Sequence, residues 1–305
     1  MRHIAISTLL LLAACAEGGS GGGKGKKAED PVEKKAEESE KVAKPASQPE
    51  AQNTSATALA SGLVDEAAFK KAHALTDAQA PQAEGEMIEV GGAKAYLSLP
   101  DGDGPHPGVV VIHEWWGLNQ NIKYWTDRMA ALGYAAVAVD LYGGKVATDP
   151  ENAAKYMKSV DQQAANGILT AAHAFLRSDE RVKAPKVGSM GWCFGGGQSL
   201  QLALADSKLD AAVMYYGFPV TDAAKLKVIE ADILALFGGA DDFIPMEQVE
   251  AFEKALKEAG VDYELHVYEG ATHAFANPSN PHYDMKNASD AFEKTKAFLA
   301  AKLKG

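Results

Sequence analysis

The run Lys186-Val-Gly-Ser-Met-Gly-Trp-Cys-Phe-Gly-Gly-Gly-Gln198 constrains the fold more than any other part of the chain. It reads as a short apolar strand, a sharp turn and a helix start. At its centre, Gly191-Trp-Cys193-Phe-Gly195 is a G-x-C-x-G with cysteine where many hydrolases carry serine. A strand that turns at once into a helix strains the backbone of the residue at the apex and crowds its neighbours. Small residues two positions either side let the turn close, and the Cys193 thiol then projects above a sheet edge. Three consecutive glycines, Gly195 to Gly197, begin the helix although glycine is a poor helix former. Close packing of helix on strand explains them. The other reading of Cys193 is a small buried filler in an ordinary strand-to-helix turn.

Around this elbow, apolar runs alternate with helical patterns. Residues 87–90 and 95–99 predict an opening hairpin about Gly91-Gly92. Strands are predicted at 109–113, 135–139, 211–216, 233–237 and 263–268, of which 109–113 and 135–139 read as covered on both faces. Between them lie stretches with helical periodicity, such as Ile122, Trp125, Met129 and Leu132, or Val249, Phe252 and Leu256. Asp149-Pro150 has the form of an N-cap and first helical residue. The closing helix carries Met285, Phe292, Phe298, Leu299 and Leu303. This alternation predicts an α/β fold with a mostly parallel central sheet and helices on both faces.

In an open parallel sheet, residues just after the strand ends face a common crevice. Glu114, Cys193, Asp241 and His273 all occupy such positions. The chain order is nucleophile, acid, histidine, as in α/β-hydrolases. A thiol needs a base or a positive neighbour to ionise at neutral pH. His273 can take its proton and return it to a leaving group, while Asp241 fixes the imidazole. Of the eight histidines, His113 is the rival base, and Asp242 is the rival acid.

Six motifs in order make the region from about residue 85 to the end resemble the dienelactone hydrolase family. They are His113-Glu-Trp-Trp-Gly117, Asp140-Leu-Tyr142, Gly191-Trp-Cys-Phe-Gly-Gly196, Tyr215-Tyr-Gly217, Gly238-Gly-Ala-Asp-Asp-Phe-Ile-Pro245 and Thr272-His-Ala-Phe275. The resemblance implies an α/β-hydrolase fold and a Cys–His–Asp triad of Cys193, His273 and Asp241. It also implies that Glu114 pairs with the nucleophile and helps activate it. Backbone N–H groups of Phe194 and Trp115 would form the oxyanion hole. Tyr215, Trp116 and Tyr142 would line the substrate pocket, with core packing as the alternative for Tyr215 and the tryptophans. Two arginines that hold a substrate carboxylate in dienelactone-cleaving members are replaced here by Gly144 and Asn277. Lys145, next to Gly144, is either a compensating cation or a solvated loop residue. A neutral ester or lactone is therefore expected, with no metal and no organic cofactor.

The amino terminus has its own logic. Met1-Arg2-His3 is a short positive region, and 4–14 is apolar but too short to span a bilayer. Leu12-Ala-Ala-Cys15 resembles a bacterial lipobox, which implies a signal peptide over 1–14 and lipid on Cys15. Residues 15–62 are poor in large apolar side chains and read as a disordered tether. Residues 63–84 read as a short amphipathic helix and lead-in, and 85–305 as the catalytic domain. The expected address is the bacterial cell envelope, on an outer membrane facing the periplasm, since Ala16 and not Asp follows Cys15. A net charge of −11 without a basic stripe argues against nucleic acid, and no obligate protein partner is evident. Cys15 and Cys193 are the only cysteines, so neither a disulfide framework nor a dithiol redox pair is expected. The competing function is an envelope lipoprotein that binds ligands on the same fold without catalysis.

Overall fold

A computed structural model of the chain describes residues 83–305. The expected signal peptide, Cys15, the tether and all but the last two residues of the segment 63–84 lie outside the described residues. Eight strands form one sheet in the order β1-β2-β4-β3-β5-β6-β7-β8. They are β1 (Glu86–Val90), β2 (Ala93–Ser98), β3 (Gly108–Ile112), β4 (Ala135–Val139), β5 (Val187–Trp192), β6 (Ala211–Tyr215), β7 (Asp232–Gly238) and β8 (Tyr263–Tyr268). β1 and β2 form the expected antiparallel hairpin, β2 pairs antiparallel with β4, and every pairing from β4 to β8 is parallel. The hairpin turns on Gly91 and Gly92, both at positive φ.

The helices are α1 (Gln120–Ala131), α2 (Pro150–Lys158), α3 (Gln162–Ser178), α4 (Phe194–Ala205), α5 (Ala223–Leu226), α6 (Met246–Ala259) and α7 (Met285–Leu303). Side chains alternate across each strand, so the sheet feeds two separate cores. Val110, Ile112, Val137 and Val139 join Leu169 and Leu176 of α3, Leu200 of α4 and Phe252 of α6 on one face. Val109, Val111, Ala136 and Ala138 join Ile122, Trp125 and Met129 of α1 with Phe292, Phe298 and Leu299 of α7 on the other. The central strands β3, β4 and β6 are buried along their whole length. That explains why they read as continuous apolar runs rather than alternating ones.

Helix starts follow their local chemistry. Asp149 caps α2 by accepting the N–H of Asn152 at 2.8 Å, with Pro150 at the first helical position. Asp161 caps α3 through the N–H of Ala164 at 2.7 Å, and Gly260 closes α6 in the left-handed conformation. α4 is different. Its first cap position is Cys193, which has φ 54° and ψ −118° and no side-chain cap bond. A cysteine at positive φ is held there only where the surroundings over-determine it.

Two glycines supply that constraint. A Cβ on Gly191 would strike the carbonyl group of Gly195, and one on Gly195 would strike the carbonyl oxygens of Ile112 and His113. β5 therefore meets the first turn of α4, and α4 meets the end of β3, backbone against backbone. Gly195→Ala should cost about 1–3 kcal/mol by overpacking. Thermal unfolding followed by circular dichroism should show a Tm several degrees lower, and an unchanged Tm would contradict this packing.

Candidate active site

The carboxyl ends of the parallel strands carry the candidate site residues. Glu114 follows β3, Cys193 follows β5, Tyr216 follows β6, Asp241 follows β7 and His273 follows β8. The Cys193 N–H donates to the carbonyl of Tyr215 at 3.0 Å, which ties the elbow to the end of β6. Its side chain is partly buried. Burial and the neighbouring Glu114 push the thiol up to about 12. The backbone N–H groups of Phe194 and Trp115 both reach the sulfur and act in the opposite direction. Cys193 is thus a thiol at neutral pH, and a reactive thiolate has to be generated by a neighbour.

Asp241 and His273 are joined directly. His273 Nδ1 lies 2.8 Å from Asp241 Oδ2. The other carboxylate oxygen of Asp241 accepts the N–H groups of Phe243 at 2.8 Å and Ile244 at 3.1 Å. Asp241 is buried, and these donors account for a carboxylate at that depth. Asp242 is exposed and takes no part in this arrangement. The His273 ring packs edge-on to Tyr216 at 5.2 Å and beside Phe243 at 5.2 Å.

The rival histidine has a structural task. His113 is fully buried, its Nδ1 donates to the carbonyl of Glu114 at 2.6 Å, and its Nε2 accepts the N–H of Leu141 at 3.1 Å. The Nε2 that accepts an N–H carries no proton, so the ring is neutral; burial lowers its pKa in the same sense. His113 thereby pins the end of β3 to the end of β4, and both ring nitrogens are occupied.

Glu114 is buried, and burial pushes its carboxyl up to about 8. Its Oε2 accepts from Asn277 Nδ2 at 2.7 Å. Tyr142 is buried edge-on to His113 at 4.6 Å and beside Phe194 at 5.6 Å; burial, and after it the nearby Cys193, raise the pKa of its hydroxyl. Trp115 and Trp116 are partly buried against each other at 5.0 Å.

Tyr215 has the environment of the core-packing alternative. It lies in the core, its ring 5.6 Å from Trp192 and its hydroxyl 2.7 Å from Thr295 Oγ1 on α7. The tyrosine at the site is its neighbour, Tyr216, fully buried at φ 36° with its N–H donating to Leu236 at 2.7 Å. Adjacent residues on a strand face opposite ways, so one step past the end of β6 decides which ring meets His273. The sequence motif Tyr215-Tyr-Gly217 does not distinguish them.

Neither position lacking the expected arginine carries a cation. Gly144 donates its N–H to Asp140 within the turn after β4. Lys145 Nζ lies 5.4 Å from the centre of the Tyr156 ring, which packs edge-on to Tyr142 at 6.1 Å. Exposed aromatic surface stands near the catalytic elements: Phe243 beside His273 and Phe218 against the start of α4 are 66% and 52% exposed.

The pattern of the dienelactone hydrolase family matches residues 93–303. The chain belongs to the dienelactone hydrolase family. Among curated relatives it is 36% identical over 227 residues to the protein usf of Aquifex pyrophilus, covering 70% of this chain and 97% of that one. It is 32% identical to a candidate carboxymethylenebutenolidase of Aquifex aeolicus, covering 72% of this chain and all of that one. Among solved structures, a candidate dienelactone hydrolase of Klebsiella pneumoniae aligns with a TM-score of 0.64 at 27% identity, over 68% of this chain and 92% of that one. Membership makes the chain a hydrolase of the ester and lactone type.

Proposed function

We propose that the chain cleaves neutral or hydrophobic carboxylic esters or lactones through a thioacyl-enzyme on Cys193. The observation that carries this reading is the Asp241–His273 bond of 2.8 Å on the loops flanking the strained Cys193 elbow. His273 takes the proton of the Cys193 thiol at its free ring nitrogen, Nε2. Glu114, the thiol's buried neighbour, assists that activation. The sulfur then attacks the carbonyl carbon, and the carbonyl oxygen becomes an oxyanion. The N–H groups of Phe194 and Trp115, which converge on the sulfur, are the donors for that oxyanion. His273 returns its proton to the departing alkoxide, and water releases the acid from the thioester by the same steps. Asp241 holds the imidazole in the tautomer that this requires.

Substrate polarity follows from the surroundings. An anionic substrate without a cationic partner forgoes a charge-assisted bond of about 1.5–3 kcal/mol. Two such losses amount to roughly two to four orders of magnitude in specificity. Phe218, Phe243, Trp115 and Trp116 offer apolar contact instead. Tyr142 borders the thiol and is the pocket-lining tyrosine of this reading, beside Tyr216. The amino-terminal Leu12-Ala-Ala-Cys15 supports attachment of the enzyme to the bacterial envelope through lipid on Cys15.

Cys193→Ala and His273→Ala should each lower kcat/KM for a neutral ester by about four orders of magnitude or more, with a near-native far-UV spectrum. Full hydrolysis by either variant would overturn the mechanism. A neutral ester should have the higher kcat/KM against a carboxylate-bearing lactone of similar size. A preference for the lactone that disappears in Lys145→Ala would reverse the substrate assignment. Cys15→Ser should abolish incorporation of labelled fatty acid in a bacterial host; labelling that persists would refute the anchor.

A further inference from the structure

The sheet ends on β8, which pairs with β7 alone. The N–H of Ile233 donates to the carbonyl of Asp262 at 3.0 Å, and that of Gly239 to the carbonyl of Tyr268 at 2.8 Å. The register between these bonds is unbroken, so the even-numbered residues of β8 turn their backbone groups toward β7. Backbone groups alternate along a strand, so Tyr263, Leu265 and Val267 point their N–H and C=O groups outward. None of them has a backbone partner there among the described residues. Val267 is 39% exposed, Glu264 is exposed, and Tyr263, Leu265 and His266 are half-buried.

An open edge of this kind is a template for another strand, and its side chains decide which one. Tyr263 reaches Glu253 on α6 and Tyr268 reaches Asp290 on α7. Glu264 and His266 therefore share the α7 face of the strand, and Leu265 and Val267 the α6 face. Within one copy the polar pair is incomplete. His266 Nε2 has no hydrogen-bond partner among the described residues, and Glu264 Oε2 stands off at 3.8 Å. Antiparallel pairing of β8 with itself must set outward residues opposite outward residues. With the twofold axis at Leu265, Tyr263 faces Val267 of the second copy, and those two exchange backbone hydrogen bonds. Glu264 then lies opposite His266 of the second copy, in the type of pair whose side chains come closest. A slip of two residues one way sets Glu264 against Glu264, and the other way sets His266 against His266. Like charges directly opposite are destabilising, so the side chains select one register. Charges flanking the edge are already paired, Glu253 with Lys257 at 2.8 Å and Asp290 with Lys294 at 2.8 Å. The opposite edge of the sheet lacks such complementarity: β1 carries Glu86 and Glu89 with no basic residue or histidine.

We propose that β8 is a self-complementary interaction edge on which a second copy of this chain docks antiparallel, Glu264 of each copy meeting His266 of the other. The two sheets join into one, with α6 and α7 of each copy beside the seam. The pairing is closed, so assembly stops at the dimer. Because the strands run in opposite directions, the two candidate crevices open at opposite edges of the joined sheet. The pairing is independent of the chemistry at Cys193.

The test is sedimentation velocity of the full chain carrying Cys15→Ser, which removes the proposed lipid and with it any micelle. Over about 1–100 µM, a span that covers weak and moderate association, the parent should pass from monomer to dimer. Glu264→Lys and His266→Glu each set like charges opposite and should raise the dimer Kd about tenfold or more. The double variant exchanges the two partners and should return to within about threefold of the parent. Val267→Pro removes an outward N–H, leaves the bonds to β7 intact, and should stay monomeric at the highest concentration. Hydrogen exchange at the Leu265 and Val267 amides should slow as the parent dimerises. A parent that is monomeric throughout, a dimer indifferent to these substitutions, or a double variant as weak as the single ones would overturn the proposal. So would a monomer in which those amides are protected at every concentration, since the edge would then be covered by the chain's own segment. If Val267→Pro fails to fold by circular dichroism, the exchange of Glu264 and His266 decides.

Discussion

The structure depends on a close approach of three backbones. The end of β5, the first turn of α4 and the end of β3 meet where Gly191 and Gly195 leave no room for a Cβ. That contact holds Cys193 at φ 54°, a conformation that an unconstrained cysteine seldom adopts. It also aims the first N–H of α4, that of Phe194, at the sulfur, while the turn after β3 brings the N–H of Trp115 to it. The proposed nucleophile and the proposed oxyanion donors therefore come from one packing event. The strain is spread over a sheet whose central strands have no exposed residue, so the rest of the domain resists its relaxation.

The same burial that fixes the geometry shapes the electrostatics. Cys193, Glu114 and Asp241 are crowded near one crevice, and their partners differ. Asp241 is surrounded by two backbone N–H groups and an imidazole. Glu114 has one neutral donor and is pushed up to about 8. Burial pushes the thiol up to about 12, so Cys193 rests uncharged. Charge then appears only when a proton moves, in a setting where fixed dipoles are already aligned.

Much of this was legible in the sequence because it is local. Glycine spacing reports the elbow, and strand-end position reports Asp241, His273 and Glu114. The choice of His273 over His113 agrees with position relative to the sheet, and the bonds to Glu114 and Leu141 explain what His113 does instead. What could not be read is parity and distance. Tyr215 and Tyr216 differ by a single step of a strand, and only the backbone turn beyond β6 reveals which one joins His273. The Asn277–Glu114 bond links residues 163 positions apart, with no spacing rule to announce it. Asn277 was visible as the absence of an arginine, and its actual partner emerged only from the fold.

The loop from His273 to Asn277 ties two duties to one short piece of backbone. Ala274 turns it and Phe275 plugs it into the interior. For anyone redesigning this enzyme, that segment is a cassette rather than a set of independent sites. An inserted or deleted residue between the two would displace the histidine and the carboxyl holder together. Loop grafting here must preserve length first and identity second, whereas diversity can be introduced at Phe218 and Phe243, whose exposed rings carry none of that internal bookkeeping.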